Sequence, residues 1–162
     1  MNEIKKEKID LASLCPTIRA VVDAGGEFML YPGGRSMLPT IRPGKDAVML
    51  SAPIDVQKGD IILYQRENGA FVLHRVIALE ENGCYTLRGD NQYFDEHGIR
   101  PEQIIAKVTS FLRGKKKIVC ASCRHRAYLG RRKASYPFRL FLFRVKNKFR
   151  RMLQKGDRKS VV

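Results

Sequence analysis

The spacing of apolar residues along the chain changes twice, and each change marks a different kind of element. Near the N-terminus the apolar positions recur at helical intervals, which predicts one or two short helices between residues 3 and 24. These positions are Ile9, Leu11, Leu14, Ile18, Val21 and Val22. From Glu27 onward the pattern becomes short apolar runs divided by turn residues, which is typical of a β-rich domain. Beyond Pro137 the helical spacing returns.

The middle of the chain predicts a mainly β fold. The expected strands lie near residues 27–31, 46–51, 60–65, 70–79, 84–89 and 103–112. Asn-Gly pairs at 68–69 and 82–83 favour tight hairpins, and the segment 95–98 is expected to be a turn. This density of hairpins predicts a twisted antiparallel sheet or a small, partly closed barrel.

The C-terminal helix, expected over about 137–155, is basic and amphipathic. Residues 120–135, which precede it, are basic but have no clear period. The chain is therefore expected to divide into a helical segment (1–26), a β-rich domain (27–112) and a basic tail (113–162). The apolar face of the helix consists of Phe138, Phe141, Leu142, Val145, Phe149, Met152 and Leu153.

Charge separates the body of the chain from its tail. The 162 residues carry a net charge of +15, but residues 1–112 hold 13 Lys+Arg against 15 Asp+Glu. Residues 113–162 hold 18 Lys+Arg against the single acid Asp157, which gives a net charge of +17. An anionic membrane surface is the partner that we expect for 137–155. Binding of nucleic acid is the alternative, and a solvated or partner-binding helix is the third.

Neither a signal peptide nor a transmembrane segment is expected. Residues 1–10 are charged, and the apolar stretch 11–22 is interrupted by Pro16 and Arg19. We therefore expect a cytoplasmic protein that lies peripherally on the inner face of the membrane.

The four cysteines are expected to be free thiols, because the chain shows no sign of secretion. Cys120 and Cys123, with His125 nearby, offer three metal ligands, whereas a structural zinc site needs four. No metal and no cofactor is expected. The other two cysteines are Cys15 and Cys84.

Candidate chemistry is concentrated in three places. Residues 33–40 form a bend rich in glycine and proline, which can hold the hydroxyl of Ser36 at a fixed angle. A serine needs a neighbouring base, and His74 lies in an apolar run that would hold an imidazole rigidly. Asp90 and Asp95 follow and could orient a histidine. Taken singly, each also has an ordinary reading as a turn residue or a structural histidine.

Taken together, four sequence blocks resemble those of the signal peptidase I clan. They are Ser36-Met37-Leu38-Pro39-Thr40, Lys58-Gly59-Asp60-Ile61-Ile62, His74-Arg75-Val76-Ile77 and Arg88-Gly89-Asp90-Asn91, with Asp95 following. The clan has a β-rich fold and a serine nucleophile. Its base is lysine in typical bacterial members and self-cleaving repressors, and histidine in the endoplasmic-reticulum and archaeal-like branch. With His74 at the base position, the sequence is similar to the histidine branch.

The resemblance implies a serine endopeptidase that acts at a membrane surface. Ser36 would attack the scissile carbonyl, His74 would accept its proton, and Asp95, or else Asp90, would orient the imidazole. The backbone around Ser36 would bind the oxyanion, with Arg35 and Met37 beside it in contact with substrate.

Two features depart from the family pattern. Gly34 and Arg35 stand where the family usually has Ser-Gly, so a hydroxyl donor to the oxyanion is missing, and the usual N-terminal transmembrane helix is not expected here. Two alternatives therefore stay open: a non-catalytic module that binds an extended peptide, and a regulator associated with nucleic acid through the basic tail.

Overall fold

The computed structural model of the protein describes residues 11–157, with side chains for 11–122 and 125–148. These residues divide into two compact units between Ser122 and Cys123. The first unit holds α1 (Leu11–Asp23), β1 (Phe28–Leu30), β2 (Asp46–Ser51), β3 (Ile61–Gln65), β4 (Phe71–Leu79), β5 (Tyr85–Arg88), β6 (Glu96–Ile99), β7 (Ile104–Arg113) and β8 (Lys116–Val119). The second holds α2 (Cys123–Ala134) and α3 (Tyr136–Asp157).

The strands form one antiparallel sheet that does not close into a barrel. Its order is β1-β2-β7-β3-β4-β5-β6, and β8 pairs with the end of β7. The long strand β7 pairs with β3 through its first half and with β2 through its second half. The prediction of a mainly β fold is confirmed, and of the two predicted forms it is the open sheet that occurs.

Apolar side chains cover both faces of the sheet at its centre. Because successive side chains of a strand point to opposite faces, Ile61 and Leu63 of β3 pack in a cluster that includes Ile18 of helix α1. Ile62 and Tyr64 pack in a second cluster on the other face. The fully buried phenol of Tyr64 therefore belongs to the face that α1 does not cover.

Six strands agree with the predicted runs to within about two residues, but β6 and β8 were not predicted. Residues 95–98 were expected to be a turn, whereas Glu96–Ile99 pairs with β5. The body was expected to end at residue 112, whereas the chain turns at Gly114 and returns as β8. Both strands have four residues and no apolar alternation of their own, and each is stabilised by pairing, β6 with the four-residue β5 and β8 with the ten-residue β7.

The helices also extend the predicted pattern. Helix α2 occupies part of the stretch without a clear period, and α3 covers the expected 137–155. Residues 3–10, where the first predicted helix would begin, lie outside the described part of the chain. Among residues 11–157, no helix combines the length and the apolar character that crossing a membrane requires.

Candidate active site

Ser36 lies half-buried in the loop between β1 and β2, and this loop is held against the segment 89–91. The backbone N–H of Asn91 donates to the carbonyl oxygen of Ser36 at 2.7 Å. The side-chain amide of Asn91 donates to the carbonyl of Arg35 at 3.3 Å. The side chain of Met37 is buried in the core cluster beside α1, so the loop is fixed on two sides.

Gly89 is required for this approach. A Cβ at this position would lie 2.7 Å from the carbonyl oxygen of Ser36 and 2.8 Å from Gln92 Oε1, which is closer than such atoms can pack. The absence of a side chain therefore lets the two backbone segments meet. This contact explains why a glycine precedes Asp90 in the sequence.

Asp90 joins the loop between β1 and β2, which we call the serine loop, to β4. Arg75 donates to it through Nε at 2.8 Å and through Nη2 at 2.7 Å, and the hydroxyl of Thr40 donates to Asp90 Oδ2. The remaining amino group of Arg75 donates to the carbonyl of Gly59 at 2.6 Å. Both carboxylate oxygens of Asp90 are therefore engaged in holding the loop.

A second carboxylate, Asp46 at the start of β2, holds the far end of the same loop. It is fully buried and accepts hydrogen bonds from Arg42 at 2.7 Å and from Arg113 at 3.3 Å. Arg113 also donates to the carbonyl of Thr40 at 2.7 Å. Burial opposes ionisation of Asp46, but the hydrogen bonds of Arg42 outweigh it, and the pKa of Asp46 lies below its ordinary value.

His74 is fully buried on β4, opposite Ile62 of β3. Its Nδ1 lies 3.2 Å from Glu96 Oε1 and 3.2 Å from the hydroxyl of Tyr64. The same hydroxyl donates to Glu96 Oε2 at 2.7 Å. The imidazole therefore faces a carboxylate on one side, and its orientation is fixed by neighbours from β3 and β6.

Glu96 is held in the ionised form. Burial opposes its ionisation, but hydrogen bonds from Arg66 and Tyr64 prevail and keep the pKa of Glu96 below its ordinary value. Arg66 reaches it through Nε at 2.8 Å and through a second, shorter contact from Nη2. Burial and the adjacent carboxylate both raise the pKa of Tyr64, so its hydroxyl remains a donor.

The carboxylate beside His74 is therefore not the one expected from the sequence. Asp95 forms an ion pair with Arg88 at 3.2 Å, and Asp90 is engaged with Arg75. Because β6 begins at Glu96, it is this residue that reaches the imidazole. The sequence signal was the adjacent pair of acids, Asp95 and Glu96, both of which were assigned to a turn.

Ser36 and His74 are linked through the fold but are not hydrogen-bonded to each other. Ser36 contacts the segment 89–91, whose Asp90 binds Arg75, the neighbour of His74 on β4. His74 Nε2 is buried and has no hydrogen-bond partner among the described residues. Within the same residues the hydroxyl of Ser36 makes no hydrogen bond either.

Of the two residues expected beside the oxyanion, Arg35 lies in solvent and Met37 lies in the core. Arg35 is exposed and makes no ion pair with any described residue, whereas only the backbone of Met37 can reach a substrate. The backbone N–H groups of Ser36 and Met37 donate to no acceptor in the described chain. Two backbone N–H groups next to the serine hydroxyl, those of Ser36 and Met37, are therefore without an acceptor among the described residues. Gly34 stands at the position where the signal peptidase I clan usually has a second serine.

The other candidate residues lie away from this site. His97 is 70% exposed and contacts Glu80. Cys15, Cys84 and Cys120 are free thiols, and the side chain of Cys123 lies outside the described part of the structure. Among the described residues no three His, Cys, Asp or Glu side chains group as metal ligands would.

Stability should fall with acidification because of His74. Burial lowers the pKa of His74 to about 4, against the opposing effect of Glu96. An unfolded histidine titrates near pH 6.5, so between about pH 6.5 and 4 the unfolded chain binds a proton that the folded chain does not. The free energy of unfolding should therefore decrease by up to about 3 kcal/mol across this window as the pH falls. Chemical denaturation at a series of pH values measures this change in the free energy of unfolding.

Two variants separate the contribution of His74 from that of other groups. His74→Asn should flatten the slope between pH 6.5 and 4, whereas His97→Asn removes an exposed histidine and should leave the slope in place. An unchanged slope in His74→Asn would show that another group causes it.

The open sheet, the serine loop and the buried histidine together define a peptidase-like β domain. The family model of Peptidase S24-like proteins matches residues 1–109, which is more than half of the chain. The chain therefore belongs to the peptidase S24-like family. No curated protein matches the sequence closely.

Proposed function

We propose that the protein is a serine endopeptidase in which Ser36 is the nucleophile and His74 the general base. The observation that carries the proposal is the asymmetry of the imidazole: Nδ1 faces the ionised Glu96, while Nε2 has no partner among the described residues. This is the arrangement that a histidine base needs, because one nitrogen is oriented and the other is free to accept a proton.

The hydrogen bonds around Glu96 support one tautomer of His74. An ionised carboxylate only accepts, and it already accepts from Tyr64 and Arg66. Its contact with His74 therefore requires the proton on Nδ1, which leaves the lone pair on Nε2. The low pKa of His74 keeps the imidazole neutral at neutral pH, so the base form is fully populated.

The reaction follows from this tautomer. Ser36 Oγ bonds to the scissile carbonyl carbon while its proton passes to Nε2, and the resulting imidazolium is stabilised by Glu96. The imidazolium then protonates the leaving amine as the C–N bond breaks, and water, deprotonated by the same nitrogen, releases the acyl group from Ser36. The backbone N–H groups of Ser36 and Met37 are the donors for the oxyanion.

Two features set the rate of this enzyme. The hydrogen bond between a nucleophile and its base is often long without substrate and shortens when substrate binds. In this mechanism the hydrogen bond between Ser36 and His74 forms only when substrate binds. The missing hydroxyl at Gly34 removes one oxyanion donor, a loss of about 10²–10³ in rate where it has been measured. We therefore expect the protein to cleave its substrate slowly.

The test is to compare the peptides of cells that produce the parent with those of cells that produce Ser36→Ala, by mass spectrometry. Fragments that share a cleavage site should occur only with the parent, and a fluorophosphonate probe should label the parent only. If both proteins give the same fragments and neither reacts with the probe, Ser36 is not a nucleophile.

The edge position of β1 supports a second candidate, a non-catalytic module that binds an extended peptide. Strand β1 lies at an edge of the sheet and leads directly into the serine loop, so a peptide can pair with its free side. Peptide binding that survives in both Ser36→Ala and His74→Ala, without turnover in the parent, would favour this candidate.

A further inference from the structure

Helix α3 presents an exposed apolar face. Phe138 is 65% exposed, Phe141 61% and Leu142 49%. At 100° per residue these three side chains and Val145 fall within an arc of about 100° around the helix axis. Aromatic and aliphatic side chains on one stripe of a helix are ordinarily buried, so this stripe has the features of a contact surface.

Basic side chains border this face on both sides. Lys146 lies on one border and Arg144 and Lys148 lie on the other, and all three are exposed. The sequence has no acid between residues 123 and 156, so nothing within α2 or this part of α3 neutralises them. The helix therefore combines a hydrophobic stripe with two cationic borders.

We propose that α3 binds the surface of an anionic phospholipid bilayer, with its axis parallel to the membrane plane. Phe138, Phe141 and Leu142 would enter the boundary between headgroups and acyl chains, while the basic borders contact lipid phosphates. The long stems of lysine and arginine allow the charged groups to stay at headgroup level while the apolar face is buried.

The apolar face favours a bilayer over nucleic acid as the partner. Phosphates of a nucleic acid would be neutralised by the basic side chains alone, with no use for exposed phenylalanines on one stripe. A bilayer can contact both the apolar stripe and the basic borders at once, because its phosphates lie directly above an apolar layer. The proposal does not depend on Ser36 or His74.

The experiment measures partition of the full-length protein onto vesicles by co-sedimentation. Vesicles of phosphatidylglycerol and phosphatidylcholine should bind the protein at least about tenfold more strongly than pure phosphatidylcholine. The double variant Phe138→Ser/Phe141→Ser should reduce binding to the anionic vesicles by at least about tenfold. Lys146→Gln/Lys148→Gln should reduce it by at least about tenfold as well, and added salt should have the same effect.

Phe143→Ser is the matched control. Phe143 is 40% exposed but lies about 140° around the helix from Phe138, outside the proposed face. The control should change vesicle binding by less than about twofold. Because all three phenylalanines are exposed, their replacement should leave the fold intact, which circular dichroism checks.

Three results would overturn the proposal. One is the absence of binding to anionic vesicles, and another is equal binding by the parent and Phe138→Ser/Phe141→Ser. The third is salt-dependent binding to duplex DNA that is tighter than vesicle binding and unchanged by the double variant, which would assign the basic helix to nucleic acid.

Discussion

Replacing Ser36 with alanine should lower the turnover of a cleaved peptide by about 10⁵–10⁶-fold, and His74→Gln should cause a loss of the same order. The serine provides the attacking oxygen, and the histidine removes its proton in the same step, so each is ineffective without the other. The measurement is kcat/KM on a peptide that contains the cleavage site found in cells. The double variant should be no slower than either single variant, because the two groups act as a unit.

Control variants separate chemistry from general damage. Ser51→Ala changes a half-buried serine at the end of β2, and His97→Gln changes an exposed histidine. Both should keep kcat/KM within about threefold of the parent, since neither side chain contacts Ser36, His74 or Glu96. If Ser36→Ala retained most of the activity, the nucleophile would lie elsewhere and the proposed mechanism would be abandoned.

Glu96→Gln should lower kcat by about 10²–10⁴-fold while leaving the fold in place. The carboxylate accepts the Nδ1 proton, whereas the amide of glutamine can donate to Nδ1 and so favour the tautomer with its proton on Nε2. In that tautomer the nitrogen needed for catalysis has no lone pair. The loss should therefore appear mainly in kcat, and the pH–rate profile should shift because the imidazolium is no longer stabilised.

Asp95→Asn is the natural comparison, because Asp95 is the acid next to Glu96 in the chain. It removes only a partly exposed ion pair with Arg88, so kcat should stay within about threefold of the parent. The opposite pattern, with activity lost in Asp95→Asn and kept in Glu96→Gln, would return the orienting role to Asp95. Asp90→Asn does not serve as a control, because Asp90 holds the serine loop to Arg75.

The sequence predicted the sheet and the serine loop because their signals are local. Apolar runs between turn residues define β2, β3, β4 and β7 without knowledge of their neighbours. The candidate pair Ser36 and His74 came from ordered blocks that resemble a known clan. Their catalytic roles remain predictions.

The partner of the imidazole could not be predicted because it depends on pairing between distant strands. Whether Asp95 or Glu96 reaches His74 is decided by where β6 begins and by its register against β5. Tyr64 and Arg66, which fix the charge of Glu96, lie 32 and 30 residues away from it in the chain. The sequence offers no periodic signal for contacts of this kind.

The ion pair between Asp46 and Arg113 bears on how much of the chain a working fragment must contain. The two residues are register partners at the ends of β2 and β7, and Arg113 also binds the carbonyl of Thr40 in the serine loop. Arg113 lies beyond residue 109, where the family match ends. A fragment cut at that boundary would leave the buried Asp46 with Arg42 alone and the loop without its second attachment. Expression trials that aim at an intact serine loop should therefore extend at least through β8.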